Sequence, residues 1–441
     1  MSVVHLERSL ESCLTEMAKD YAAARPLSRA AHENAEHYLP GGNTRSVLFF
    51  NPFPLFIARG SGAEVEDLDG HVYLDCVGEF SAGLYGHSDP VIADAISGAL
   101  AGGTVLSGAN RMEAELAAIL SARFKSMERT RFCNSGTEAN LLAIMTARAA
   151  TGRERILAFH EAYHGSLLSF PKAGNPLNMP FDCTLADYND VARTAGLIRQ
   201  IGSELAAVIV EPILGAGGNI PGSREFLHAL RDATSETGAI LIFDEVKTSR
   251  CGAGGVQGRQ GIVPDMTTIG KYVGGGLACG AFGGRADLMS IFDPKKPNAL
   301  RHAGTFNNNV CTLAAGIAGL TKVFTAARAD AFHATCETFR VALNGDLAAR
   351  NAPGRLSGFG SLFTLHFSGR PVATPSDLPP RSRAIAQLFH LFCMSRGVLV
   401  ASRGDIFMTL PMGPADREKL RGTILAFMDE YEEVIRAETG E

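Results

Sequence analysis

Three short runs constrain this chain more than anything else in it: RILAFH at 155–160, LAAVIVEP at 205–212 and AILIFDEV at 239–246. Each is nearly continuous in Ile, Val, Leu and Ala, and each ends in polar or charged residues. Runs this short and this apolar read as strands buried on both faces, which occur in parallel sheets rather than in half-solvated antiparallel ones. Helical patterns lie between them. One carries Phe226, Leu227, Leu230 and Ala233 and closes at Gly238. Another, after Thr137, places Leu141, Leu142, Met145 and Ala149 at helical spacing, which predicts its buried stripe. Strands alternating with helices imply an α/β fold with helices on both faces of a mostly parallel sheet. In such sheets ligands sit beyond the carboxyl ends of the strands. Glycines gather at segment ends, at Gly41–Gly42, Gly215 to Gly218 and Gly274 to Gly276, as sharp strand-to-helix turns require.

Outside that region the pattern changes. In EVEDLDGHVYLD (64–75) alternating residues flank Asp69-Gly70, which predicts a hairpin with a two-residue turn at φ > 0. Beyond about residue 312 long helices are expected at 312–350, 380–396 and 415–438, with strand-like pieces at 361–367 and 398–401. The expected organisation is a large α/β domain over 61–311 and a smaller α+β domain over 312–441, joined by the N-terminal segment 1–60, which is too short to fold alone. Lys and Arg total 41 against 46 Asp and Glu, a net charge of −5 with no long run of one sign. A dedicated nucleic-acid or anionic-membrane binder needs clustered positive charge, so neither partner is expected. No apolar run reaches the length of a membrane span. Met1 to Asp20 reads as an amphipathic, charged helix rather than a secretory signal. The nine cysteines are scattered with no C-x-x-C pair, which argues against a disulfide framework or structural zinc and for a reduced, cytoplasmic enzyme.

Three features at the ends of successive elements carry the chemistry. Asp244 closes AILIFDEV, Lys271 follows TTIG (267–270), and Asn134-Ser-Gly-Thr-Glu138 opens a helix just after Phe132. Singly they have ordinary readings: a helix cap, a solvated lysine, an N-cap. Jointly they describe a phosphate cradle at a helix N-terminus, an amine able to condense with an aldehyde, and a carboxylate able to keep a pyridine nitrogen protonated. Pyridoxal 5′-phosphate needs all three. Rival phosphate motifs fail, since neither G-x-x-x-x-G-K-[ST] nor a strand-following G-x-G-x-x-G occurs. HEAYH at 160–164 matches the zinc pattern H-E-x-x-H literally. That pattern works on a helix, whereas here it continues an apolar run into Gly165 and is expected to be a strand end and turn; no metal is expected.

Six blocks in order, NSGTEAN (134–140), YHG (163–165), VEP (210–212), FDEV (243–246), GKYVGGG (270–276) and GTFNNN (304–309), resemble the class III, fold type I pyridoxal-phosphate aminotransferases from end to end. Within that family the chain is similar to the branch of glutamate-1-semialdehyde aminomutases and aromatic β-amino acid aminotransferases, the latter through NTRSVLF (43–49) and PFPLFIARG (52–60). The resemblance makes Lys271 the Schiff-base lysine and proton carrier, Asp244 the partner of the pyridine nitrogen, and Tyr163 and Val246 the groups on the two ring faces. It assigns the phosphate to Ser135, Gly136 and Thr137, with Thr305 reaching it from the neighbouring subunit of a homodimer with shared active sites. Glu211 supports the pocket. One departure stands out: many members carry Gln where this chain has Leu214, which puts one polar contact near the cofactor in doubt.

For substrates, the resemblance gives Arg45 the substrate carboxylate and Arg403 the second carboxylate of 2-oxoglutarate, or a swing aside for an apolar group. Phe49, Phe80 and Phe407 could line an aromatic pocket. The expected activity is transfer of the amino group of an aromatic or bulky β-amino acid to 2-oxoglutarate or pyruvate by a ping-pong path. The alternatives are a glutamate-1-semialdehyde-type 2,1-aminomutase, which needs no keto-acid acceptor, and a catalytically silent binding protein, against which the retained Lys271 and Asp244 speak.

Overall fold

The computed structural model describes residues 9–440. Its centre is a seven-stranded sheet whose strands, in order across it, are Arg129–Cys133, Gly280–Gly284, Met266–Gly270, Ile240–Asp244, Leu205–Val210, Arg155–Phe159 and Cys183–Ala186. The five from Met266–Gly270 to Cys183–Ala186 run parallel. The three apolar runs of the sequence are therefore neighbours in the middle of the sheet, and Leu205–Val210 and Ile240–Asp244 are buried at every position. Gly280–Gly284 is antiparallel to both its neighbours. Its sequence, GAFGG, has too few side chains to signal a strand.

The helix Gly136–Thr151 lies on this sheet, capped by Ser135 at one end and by Gly152 in the left-handed region at the other. Its buried face is Ala139, Asn140, Ala143, Ile144, Thr146 and Ala147, not the expected stripe. Met145 is exposed and Leu141 and Leu142 only partly covered. Small residues let the helix axis approach the sheet closely, so the bulkier side chains turn outward. The helix Arg224–Thr237 follows expectation, burying Phe226, Leu227, Leu230 and Ala233 and ending at Gly238 with φ 69°.

The chain's two ends meet in a second body. Strands Ile57–Ser61, Glu64–Asp67 and Val72–Asp75 form a sheet whose last strand pairs in parallel with Val398–Leu399. The hairpin is present, but its loop spans four residues and only Gly70 has positive φ, because Asp69 turns its carboxylate to the Leu27 and Ser28 N–H groups. The antiparallel strands Arg355–Phe359, Leu362–His366 and Asp405–Phe407 make a further sheet, covered by the helices Ala326–Ala349, Ser382–Ser395 and Pro414–Thr439. The expected helix 312–350 is broken into Val310–Val323 and Ala326–Ala349, bent by 70°. At the N-terminus a helix spans Leu10–Ala24; the first eight residues of the stretch expected to form it lie outside the described residues. Among the described residues no single helix is long and apolar enough to cross a membrane.

Gly280 lets its strand pass beneath the start of the Gly136–Thr151 helix: a Cβ there would stand 2.1 Å from the Ser135 carbonyl oxygen and 2.8 Å from Cys133 Sγ. Overpacking of this kind costs about 1–3 kcal/mol. Gly280→Ala is expected to lower the unfolding free energy by that amount, read as a lower urea midpoint at unchanged m-value; an unchanged midpoint would show that the helix start moves freely.

Candidate active site

At the carboxyl end of the central strands, Asp244 is 4% exposed. A buried carboxylate persists only where donors replace its water. Asn140 Nδ2 and His164 Nδ1 both stand 2.7 Å from Asp244 Oδ2, and the Val246 N–H donates to Oδ1 at 3.0 Å. Thr268 on the adjacent strand donates to Asn140 Oδ1 at 2.5 Å, which turns the amide NH2 toward Asp244 and toward the His164 carbonyl. His164 must carry its proton on Nδ1 to meet the carboxylate; its other ring nitrogen is buried without a partner.

HEAYH is a turn, as expected, with His160 exposed and His164 buried, so the two rings do not share a helix face. Glu211 holds the same turn from below, its carboxylate accepting from the Tyr163 N–H at 2.9 Å and the Gly215 N–H at 3.1 Å. Burial pushes the Glu211 carboxyl up from its ordinary value. Tyr163 is half exposed, leaving its ring open to a ligand. Gly165 (φ 116°) passes so close to Thr137 that a Cβ would meet its Oγ1 at 2.2 Å, and Gly136 is similarly tight against Val246, at 2.6 Å. These contacts gather Gly136, Thr137, Tyr163 and Val246 around one space.

The first-turn N–H groups of a helix have no intrahelical partner. Ser135 Oγ takes that of Glu138 at 3.1 Å, which makes Ser135 the cap and leaves the N–H groups of Gly136 and Thr137 for an anion at the positive end of the helix. Thr305 lies on an exposed turn and, among the described residues, forms no hydrogen bond with Gly136 or Thr137; the nearby Asn307 instead accepts from Asn134 Nδ2 at 3.0 Å.

Lys271 follows Gly270 with φ 57°, a left-handed conformation that costs a non-glycine residue about 1–3 kcal/mol and that concentrates at functional sites. Its Nζ donates to the Phe80 carbonyl at 2.6 Å. That carbonyl belongs to Glu79–Phe80–Ser81, three consecutive residues at φ 50°, 51° and 75°. Fully buried Arg250 secures this loop, donating to Ser81 O at 3.0 Å, to Ser361 Oγ at 3.0 Å and to the Met408 carbonyl. Burial, then the Lys247 ammonium, push the Lys271 amine down to about 7; Asp244 opposes them, and Arg45 and Arg250 add to the fall.

The two candidate substrate arginines come together on one ring. Arg45 lies 5.3 Å and Arg403 5.8 Å from the centre of Phe80. Arg45 pairs with Glu79 at 2.9 Å, and Arg403 Nε donates to Asp405. Phe407 is 6.5 Å from Phe80. Phe49 stands apart, beside His32. Leu214 is fully buried. Asn140, His164, Thr268, Arg250 and Asp405 escaped the sequence reading. Asn140 and His164 did lie inside the blocks NSGTEAN and YHG, and His164 also inside the misleading HEAYH match, but none of the five was given a role there.

The residues present fit pyridoxal phosphate. Asp244 is held from behind through Oδ2, which leaves Oδ1 lone-pair capacity for a pyridine N–H, and the cradle, open Tyr163 face and neutralisable amine converge on the same space.

The aminotransferase class-III profile matches residues 50–421. The chain is 43% identical over 420 residues to the β-phenylalanine transaminase of Variovorax paradoxus, covering 95% of this chain and 96% of that one. The crystal structure of the β-phenylalanine aminotransferase from Variovorax paradoxus superposes with a TM-score of 0.94, covering 96% and 98% of the two chains. The glutamate-1-semialdehyde 2,1-aminomutase of Nitratidesulfovibrio vulgaris is 36% identical over 392 residues, covering 85% of this chain and 92% of its own.

Below about pH 7 the Lys271 amine is protonated, and above it neutral and nucleophilic. Reductive methylation of Lys271 in cofactor-free protein, read by mass spectrometry, is expected to be half-maximal near pH 7. Half-maximal labelling near the ordinary lysine value of 10.5 would contradict the electrostatics of the site.

Proposed function

Because the chain belongs to the class III aminotransferases, a pyridoxal-phosphate family, we propose that it transfers the amino group of a β-amino acid with an aromatic or bulky apolar side chain to 2-oxoglutarate or pyruvate. The observation that carries this reading is the placement of Arg45 and Arg403 5.3 Å and 5.8 Å from the centre of the same Phe80 ring. It offers two cationic anchors for carboxylates beside one apolar surface, which suits a substrate that carries both a carboxylate and an apolar side chain. Similarity to a β-phenylalanine transaminase at 43% identity supports the same substrate class.

When bound, pyridoxal phosphate supplies an aldehyde that condenses with amines and a ring that takes up electron density from a carbon losing its proton. Each protein group then has a defined task. Asp244, fixed by Asn140 and His164, holds a proton on the pyridine nitrogen. Gly136 and Thr137, capped by Ser135, hold the phosphate, and Thr305 of a second copy completes the cradle in a homodimer. Tyr163 and Val246 would pack on the ring, and Glu211 holds the Tyr163 turn. Lys271 Nζ would form the bond to the aldehyde and, as an amine, would take up and return the proton of the substrate carbon that bears the amino group. Its depressed basicity matters here, because an amine near neutrality exchanges protons in both directions at working pH. Arg45 binds the carboxylate of the amino donor, and Arg403 that of a dicarboxylic acceptor.

A panel of α- and β-amino donors, assayed with and without 2-oxoglutarate or pyruvate, tests the reading: turnover is expected only with a keto acid and to be fastest with aromatic β-amino acids. Turnover without an acceptor would establish an aminomutase. Lys271→Ala is expected to abolish the cofactor's lysine-bound absorbance and nearly all turnover; wild-type rates in that variant would refute the assignment. Removing a charge-assisted pair worth about 1.5–3 kcal/mol, Arg45→Ala should raise KM for β-amino acids roughly 10- to 100-fold while sparing simple amines. Equal losses on both would remove Arg45 from the substrate site.

A further inference from the structure

Behind Arg403 lies a chain of buried polar groups that the roles assigned so far leave unused. Asp405 is 1% exposed, on the strand Asp405–Phe407, and pairs across the sheet with Thr364. Its Oδ1 accepts from Thr364 Oγ1 at 2.6 Å and from Asn219 Nδ2 at 3.2 Å, while Oδ2 accepts from Arg403 Nε. Asn219 is fully buried, and its Oδ1 accepts from Lys247 Nζ at 2.6 Å. An ammonium can only donate, so Lys247 fixes which end of the Asn219 amide faces it and therefore which end faces Asp405. The polarity is set in one direction: Lys247 to Asn219 to Asp405, with Arg403 closing the far end.

Lys247 is itself an unusual residue for its place. It lies three positions after Asp244, its Nζ 4.7 Å from the centre of the Phe407 ring and close to Gly215. No carboxylate forms a direct ion pair with it among the described residues; its charge is balanced at longer range by Asp405 and Glu211. Burial pulls its amine down to about 8, against the raising effect of Asp405. Burial would raise the Asp405 carboxyl, yet Arg403 and then Lys247 outweigh it and hold the group below its ordinary value. Such a network costs desolvation energy and adds little stability on its own, so its yield is orientation. What it orients is the guanidinium of Arg403. The bond to Asp405 uses Nε, leaving the two Nη groups free to form a paired contact with a carboxylate.

We propose that Lys247 is a positioning residue that, through Asn219 and Asp405, fixes the guanidinium of Arg403 in the pocket and thereby sets the preference for dicarboxylic over monocarboxylic keto-acid acceptors. This rests on the transaminase reading and on Arg403 meeting the second carboxylate. Without the Lys247 charge, Asn219 loses the donor that pins it, and Asp405 loses a counter-charge and draws Arg403 toward itself.

The test compares kcat/KM for 2-oxoglutarate and for pyruvate, with one amino donor, in wild-type holoenzyme and in K247M, D405N and the double variant. The ratio of the two values cancels any effect on Lys271 that both acceptors share. K247M is expected to lower the 2-oxoglutarate-to-pyruvate ratio about tenfold, the size of one charge-assisted hydrogen bond. D405N should lower it as well. Because Lys247 acts through Asp405, the double variant should be no worse than D405N alone. Calorimetric titration with glutarate and butyrate, which cannot react, should show the same loss for the diacid only. A ratio within twofold of wild type, or single effects that multiply in the double variant, overturns the proposal. If K247M does not yield folded holoenzyme, K247Q, which keeps a donor toward Asn219 but removes the counter-charge of Asp405, takes its place: the ratio is expected to fall in the same direction by a smaller factor, and an unchanged ratio overturns the proposal. Wild-type turnover in the absence of any keto acid would instead bring down the transaminase reading itself, a result separable from failure of Lys247.

Discussion

A carboxylate buried at the end of a central strand is the constraint around which this molecule is built. Asp244 stays in place because groups from elsewhere in the fold donate to it: Asn140 from the helix after the phosphate cradle, His164 from the turn beyond Arg155–Phe159, two strands away, and the Val246 N–H from its own segment. Thr268, one strand over, aligns Asn140. Unpaired, a buried charge of this kind would be prohibitive. Pairing it fixes the mutual positions of the helix start, the Tyr163 turn and the Lys271 strand. The stability problem and the geometry of the cofactor site thus have the same solution.

The lysine side of the site is built on strain and positive charge. Lys271 and the Glu79–Ser81 loop adopt left-handed backbone conformations that L residues avoid. The surrounding structure offsets this, above all Arg250, which ties the loop to Ser361 and Met408 of the second body. The same packing removes water from the Lys271 amine, so the device that holds the loop also adjusts the basicity of the residue beneath it.

Phe80 stands close to two guanidiniums of different character. Arg45 is exposed and pairs with an exposed glutamate, a contact weak enough in water to be exchanged for a ligand. Arg403 is backed by a buried aspartate that also accepts from Asn219 and Thr364. One arginine is tied to an exposed partner and the other to a buried one.

Much of this was legible in one dimension. Continuous apolar runs announced parallel strands, because burial on both faces leaves no polar position to alternate. NSGTEAN, FDEV and GKYVGGG marked the cradle, the carboxylate and the amine, because those groups need fixed local geometry at strand ends. Other features were out of reach of local pattern. GAFGG forms a strand next to the edge of the sheet because glycine lets backbone pass beneath Ser135, which no periodicity records. The helix after Thr137 turned its small face inward because close approach to the sheet outweighed the hydrophobicity of Leu141 and Met145. Lys247, Asn219 and Asp405 are far apart along the chain and individually unremarkable; only the docking of the C-terminal sheet against the loop after Glu211 makes them one chain of hydrogen bonds. The sequence by itself determined which chemistry the site could hold, since that depends on residue type and local backbone. The tertiary structure decided how each charge is compensated, since compensation depends on which distant groups are brought within about 3 Å.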